Sequence, residues 1–226
     1  MKKYLKNIGI KANKASVKKI DTKVKNKVLV KYANLINRNK LNIINQNKKD
    51  VGLAKKNKLR ENLINRLVLN LNKIDEIIKS IKIISKLKDP INLTLSEWKR
   101  PNGLKIKKVT VPIGVVGIIY ESRPNVTSDV SSLCFKSGSC VILKGGSEAY
   151  FSNRILVNLF RKALKAYKID PNFVQFIDSK NRKLVDILLS KMENYIDIII
   201  PRGGKNLVKK VQKISSVPII GHLEGI

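Results

Sequence analysis

Two glycine pairs in the sequence, Gly145-Gly146 and Gly203-Gly204, are each preceded by a cation, Lys144 and Arg202. Glycine lets a backbone approach a phosphate closely, and a helix that follows aims free N–H groups at the same point. Each pair alone reads more readily as a plain tight turn; two pairs at equivalent strand ends of one sheet bring the phosphate reading level with it. The sequence has neither GxGxxG nor the P-loop pattern, so the usual nucleotide fingerprints are absent. Of the two cysteines, Cys134 falls on the apolar side of an expected helix and Cys140 opens an expected strand. Both read as core thiols, because a reactive thiolate needs an accessible, electropositive site. His222 and Glu224 resemble an acid–base pair without an assignable partner, and no metal-ligating set is assigned.

These residues need strand ends to carry them, and the pattern after Pro101-Asn102-Gly103, a turn signal, supplies such ends. Leu104–Thr110 alternates as a half-buried or edge strand. Val115–Tyr120 is a continuous apolar run, as expected of a strand covered on both faces. Strands are further expected at Cys140–Leu143, Val174–Ile177, Ile196–Ile200 and Val217–Ile220. Helices are expected at Val126–Lys136 (closed by Gly138), Ser152–Tyr167, Arg182–Met192 and Gly203–Ile214. That alternation predicts an α/β fold, a parallel Rossmann-like sheet with helices on both faces. In such sheets ligands bind beyond the carboxyl ends of the strands, which singles out the loops Tyr120–Asn125, Lys144–Glu148 and Pro201–Lys205.

The first ninety residues read as helices. Val24, Val28, Tyr32, Leu35 and Ile36 form one stripe, with Thr22 as its cap. Asn57–Lys88 carries a second stripe, broken once and stopped by Pro90. Lys48–Lys58 reads as exposed turns and helix faces. The domain reading is a helical segment over 1–96 packed on an α/β cofactor domain over 97–226.

With 226 residues, the chain is long enough for one large domain or one and a half. Its net charge of +31 raises the question of nucleic acid. The make-up argues against it: 38 of the 47 basic residues are Lys and only 9 are Arg. Lys, Ile and Asn supply 92 residues, all with codons rich in A and T, which points to compositional drift of a solvated surface. The only aromatics in residues 1–90 are Tyr4 and Tyr32, too few to stack single strands. The alternative reading is a non-catalytic Lys-rich module, or a degenerate fragment, that contacts nucleic acid. The longest uncharged apolar stretch, Val111–Tyr120, is too short to cross a bilayer, and the basic amino terminus lacks an apolar signal core. A reducing cytoplasm is the expected compartment.

The block Val111–Arg154, with YESRPNVT and LKGGSEA inside it, closely resembles gamma-glutamyl phosphate reductase (glutamate-5-semialdehyde dehydrogenase), of the aldehyde dehydrogenase superfamily. EWKRPNGL (Glu97–Leu104), IIIPRGGKNL (Ile198–Leu207) and VPIIGHLEG (Val217–Gly225) support the match. The resemblance implies NADPH-dependent reduction of L-glutamyl 5-phosphate to the semialdehyde in proline biosynthesis, through attack of a cysteine thiolate on the acyl phosphate. It makes Asn125 the amide that hydrogen-bonds the developing oxyanion, a role a fixed donor suits. It places Lys144 at the adenosine ribose, where a cation suits a 2′-phosphate, with Gly145, Gly146, Ser147 and Glu148 adjoining. Arg202, Gly203 and Gly204 match the loop near the pyrophosphate. Arg123 holds phosphate, holds substrate carboxylate, or braces its loop.

The nucleophilic cysteine of that family lies in a second domain, downstream of the residues present here, and neither Cys134 nor Cys140 matches it. Glu224 falls near the superfamily's general-base position, where this reductase family does not hold an acid reliably. The expectation is a cofactor-binding half, inactive alone. L-Glutamyl 5-phosphate is its implied substrate; a separately encoded catalytic half and a second copy of the chain are the partners left open.

Overall fold

The computed structural model describes residues 1–221. Five helices come first: α1 (Lys2–Ser16), α2 (Thr22–Arg38), α3 (Lys40–Lys56), α4 (Glu61–Leu67) and α5 (Leu71–Lys86). Each long one buries a stripe at three- and four-residue spacing, such as Val28, Leu29, Tyr32, Ala33 and Ile36 on α2 and Ile74, Ile77, Ile78, Ile81 and Ile84 on α5. The cap of α2 is Asp21, not Thr22: the Asp21 carboxylate accepts the Lys23 N–H at 2.7 Å. Thr22 is the first helical residue and donates to Asp89 instead, at 2.6 Å. The second stripe breaks at Val68–Asn70, and α5 leaves helical geometry at Leu87, before Pro90 is reached.

The Lys48–Lys58 stretch holds more than a solvated face. It overlaps α3, where Asn47 and Asp50 are buried. The Asn47 amide donates to Leu67 O and accepts from Leu69 N, both at 2.8 Å, so it satisfies the backbone exposed by the α4–α5 break.

Next comes a hairpin of β1 (Thr94–Lys99) and β2 (Lys105–Val109), joined through the Pro101–Gly103 turn. β1 is exposed at every position, so it carries no apolar alternation to announce it; it also spans the 96/97 division expected from the sequence.

The sheet consists of β3 (Val115–Tyr120), β4 (Cys140–Gly145), β5 (Val174–Phe176) and β6 (Ile198–Arg202), all parallel, in the order β5-β4-β3-β6. Between them run α6 (Pro124–Lys136), α7 (Tyr150–Ala166) and α8 (Lys183–Ser190), and α9 (Lys205–Ile214) follows β6. The path steps outward from β3 to β5 and then jumps back across to β6. With right-handed crossovers this puts α6 and α7 on one face and α8 on the other. The amino-terminal helices complete both layers: α2 packs on α7, and α1 on β4 and α8. One hydrophobic core runs through helices and sheet, with Phe135 edge-on to both Phe160 and Phe173.

The strand expected at Val217–Ile220 shrinks to one parallel bridge, Ile199 with Ile219. Ile199 N–H bonds Pro218 O at 2.8 Å and Ile220 N–H bonds Ile199 O at 3.0 Å. Pro218 has no N–H to continue a ladder, which limits pairing here. No helix among the described residues is long and apolar enough to cross a membrane.

Candidate functional site

The sheet reverses its direction of winding between β3 and β6, and the loops leaving these two strands diverge there. β3 ends at Tyr120 and β6 at Arg202, which are register partners. Beyond the carboxyl ends lies a cleft of about 450 Å³. Lys144, Gly145, Gly146, Ser147 and Glu148 all line it, so five of the sequence candidates converge as expected. Arg202, Gly203 and Gly204 do not line it; that side is closed by Asn206, Leu207 and Lys210 of α9.

Lys144 is buried, only 4% exposed, which sets aside a solvated surface lysine. Its ammonium donates to Gly145 O at 2.9 Å, leaving two of its three N–H donors uncommitted among the described residues. Burial pulls its pKa down, the Glu148 carboxylate pushes it back up, and the Arg182 guanidinium lowers it again. Glu148 is itself engaged, accepting from Ser122 N at 2.9 Å and Ser122 Oγ at 2.8 Å. Ser122 sits at φ +35°, a left-handed conformation costly for a residue with a Cβ, and the Glu148 clamp holds it there. Glu148 thereby fixes the loop from β3 to α6.

The glycines serve different ends. A Cβ on Gly145 would lie 2.2 Å from Asn153 Nδ2 and 3.1 Å from the Tyr120 ring, and one on Gly146 would lie 2.1 Å from a Glu148 oxygen. A Cβ on Gly203 would meet Glu121 at 2.6 Å, whereas Gly204 has only Glu121 Oε2, at 3.9 Å. Three of the four therefore admit the protein's own side chains, and Gly204 alone presents open backbone. Its N–H, at the start of α9, donates to Glu121 at 3.0 Å, so a carboxylate rests where an anion is favoured.

Two substitutions separate these roles. Gly145→Ala drives a methyl into the buried Tyr120–Thr127–Asn153 hydrogen-bond chain. It should destabilise the fold by about 1–3 kcal/mol, whereas Gly204→Ala should leave stability within about 1 kcal/mol. Paired urea titrations measure the contrast, and equal losses would contradict it.

Among the charged lining residues, sequence reasoning missed Lys180, Arg182 and Lys210, and gave Glu121, inside the singled-out Tyr120–Asn125 loop, no role of its own. Lys210 is paired with Asp186 at 2.7 Å, and Lys180 lies over the Tyr150 and Phe151 rings, 5.1 and 4.9 Å from their centroids. Arg182, just before α8, adds a third cation to the same wall. Position at a strand end could have signalled Glu121. The lysines had no such signal among 38 of their kind.

Arg123 and Asn125 line a second cleft, of about 350 Å³, with residues of α4 and α5. Asn125 lies in the first turn of α6 and does not cap it; Arg123 holds the cap position without a side-chain cap bond. The Asn125 amide donates to Asp129 Oδ2 at 3.3 Å, and Asp129 Oδ1 accepts from Ser80 at 2.9 Å. Burial raises the Asp129 pKa, against these two hydrogen bonds. One amide N–H of Asn125 is thus used for orientation and the other has no partner among the described residues.

Neither thiol is poised for attack. Burial pushes Cys134 up to about 12, and burial, with smaller contributions from Asp170 and Cys134, raises Cys140 further. His222 and Glu224 lie outside the described residues.

No family model matches the chain. It is 43% identical, over its whole length, to the gamma-glutamyl phosphate reductase of Sulfurihydrogenibium sp., covering 51% of that protein. It is 45% identical over 92% of its length to that of Aquifex aeolicus, covering 47%. The crystal structure of gamma-glutamyl phosphate reductase from Thermotoga maritima superposes with a TM-score of 0.92 at 38% identity, over 95% of this chain and 52% of that one. A probable aldehyde dehydrogenase from Listeria monocytogenes, 15% identical with a TM-score of 0.70 over 97% of this chain and 46% of that one, shares the fold. The chain spans about half the length of the curated relatives it matches.

Proposed function

From a chain homologous along its length to about half of gamma-glutamyl phosphate reductase, we propose that it forms the NADPH-binding half of such an enzyme. The reaction is reduction of L-glutamyl 5-phosphate to L-glutamate 5-semialdehyde, in proline biosynthesis. The observation that carries the reading is Lys144, a buried cation with donors to spare that lines a cleft at the sheet's switch point. The cleft wall fits an anionic adenine dinucleotide, since Lys144, Lys180, Arg182 and Lys210 all face it. Lys144 and Ser147 suit the ribose 2′-phosphate, and Gly145 and Gly146 let Asn153 and Glu148 pack close behind them.

The Gly203-Gly204 turn and Arg202 stand at the far rim. A pyrophosphate there displaces Glu121 from the Gly204 N–H, so Glu121 holds that donor in place until the anion arrives. NADPH, when bound, supplies the hydride. Asn125 offers its free amide N–H to the reacting carbonyl oxygen, and Asp129 keeps that amide oriented. The thiolate that accepts the acyl group comes from a catalytic segment beyond these 226 residues, in the same polypeptide or a separate one.

Isothermal titration should show NADPH binding to the chain more tightly than NADH, with no semialdehyde formed by the chain alone. No heat at millimolar NADPH would overturn the cofactor reading, and turnover by the chain alone would overturn the need for an external thiol.

A further inference from the structure

The cleft beside Asn125 is walled by charges that the rest of the fold leaves unspent. Arg66 of α4, Glu76 of α5 and Arg123 line it, and none of their side chains has a hydrogen bond or ion pair among the described residues. Its other charged groups are committed. The Lys73 ammonium donates to Asn65 O at 2.9 Å and Val68 O at 2.8 Å, closing the end of α4. Asp129 is held by Ser80 and Asn125. Two guanidiniums and one carboxylate therefore remain to meet a ligand.

We infer that this cleft recognises the α-amino-acid end of the substrate, Glu76 taking the α-ammonium and Arg66 with Arg123 the α-carboxylate. The assignment rests on the reductase reading for the identity of the substrate. The sign pattern selects a zwitterion. A bare phosphate or a dicarboxylate would suit the guanidiniums but be repelled by Glu76, whereas an α-amino acid answers both signs.

The spacing agrees. Ser80, Ile77, Glu76 and Lys73 fall on one face of α5, and Ser80 is tied through Asp129 to Asn125. Glu76 lies one turn, about 6 Å along the axis, from Ser80. Three C–C bonds, spanning about 4 Å, separate the reacting carbonyl carbon of a glutamyl group from its α-carbon. A carbonyl seated at Asn125 therefore brings the α-ammonium within reach of Glu76.

The test uses the full 226-residue chain with L-glutamate as probe, and glutarate and γ-aminobutyrate as controls lacking the α-ammonium and the α-carboxylate respectively. L-Glutamate should bind about tenfold more tightly than either, the scale of one hydrogen bond to a charged group. Glu76→Gln should bring L-glutamate down to the level of glutarate without weakening glutarate. Arg66→Ala should bring L-glutamate down to the level of γ-aminobutyrate. Both positions are exposed, and unchanged thermal melts would confirm that the variants fold. Equal binding of the three ligands, absence of L-glutamate binding, or unchanged discrimination in both variants overturns the assignment. NADPH titrated into the same samples separates the two claims. NADPH binding without L-glutamate binding overturns only the zwitterion site, whereas failure of both overturns that site and the cofactor reading beneath it.

Discussion

Replacing Asp89 with Asn should cost about 3–5 kcal/mol of folding stability, the range seen when a buried ion pair loses one partner. Among the described residues Asp89 is the only carboxylate paired with Lys25, at 2.8 Å, and Lys25 and Lys136 are both buried, at 3% and 2% exposure. Lys25 also donates to Lys136 O at 3.2 Å, and Lys136 to Ser85 O at 3.2 Å, so the two ammonium groups share one small region between α2, α5 and α6. Asp89 further accepts from Thr22 and from Ile91 N, tying the start of α2 to the exit of α5. Burial works against its carboxylate, but the bonds from Lys25, Thr22 and Ile91 outweigh it and hold the pKa below the usual 3.8. A carboxylate with a lowered folded-state pKa contributes fully above its unfolded value and loses that contribution as pH falls through the folded one. The parent should therefore lose stability below about pH 4, while Asp89→Asn starts low and lacks that segment of the acid arm. Urea midpoints at pH 7 and pH 3 measure both effects. Combining Asp89→Asn with Lys25→Met should recover most of the loss, because it removes the stranded cation. A loss under 1 kcal/mol in the single variant would show that water reaches this region.

None of this network was legible in the sequence, and the reason is physical. Asp89 lies 64 residues from Lys25, and a lysine destined for the interior looks like any other lysine in a chain so rich in them. Asp50 was hidden the same way: it sits in a Lys-rich run, yet accepts from Phe151 N, Ser152 N and Ser152 Oγ and so anchors the first turn of α7. The sheet was legible because β3 and β4 are buried at every position, and such strands must read as continuous apolar runs. β1 was not, because among the described residues it pairs only with its hairpin partner and its side chains face solvent on both sides. Val217–Ile220 has the composition of a strand, but composition could not show that only one bridge would form around Pro218.

The glycine pairs illustrate a subtler limit. Their position beyond strand ends was readable, and the first pair does lie on the cleft. What the absent Cβ makes room for was not readable. Gly145 and Gly146 give way to Asn153 and Glu148, so these glycines build the site as much as they expose it. Glu148 shows the consequence. It packs beside Gly146, acts on Lys144, and clamps Ser122, whose loop carries Arg123 and Asn125 into the second cleft. One carboxylate thus couples the position of the proposed cofactor cation to that of the proposed substrate groups.

Lys144→Met should separate function from stability at that junction. Replacing a buried cation with an apolar chain of similar length is often neutral, so stability should stay within about 1 kcal/mol of the parent. NADPH affinity should instead fall about tenfold or more, since a charge-assisted bond to phosphate contributes about 1.5–3 kcal/mol. NADH, without the 2′-phosphate, should lose much less. The pH dependence follows from the lowered pKa of the free lysine. The ammonium is present below that value, and NADPH affinity should decline as pH rises through it, before the ordinary value of 10.5 is reached. A bound phosphate favours the charged form, so binding in that window should take up a proton, detectable as a dependence of the titration heat on buffer ionisation enthalpy. Stability moves the opposite way. Burial holds the folded-state pKa below the unfolded one, so the cation's penalty is present in full below the folded value and is relieved as pH rises from there towards 10.5. A lysine that served only to hold Gly145 O would give parallel losses for both dinucleotides and no proton uptake, and that pattern would remove Lys144 from the site.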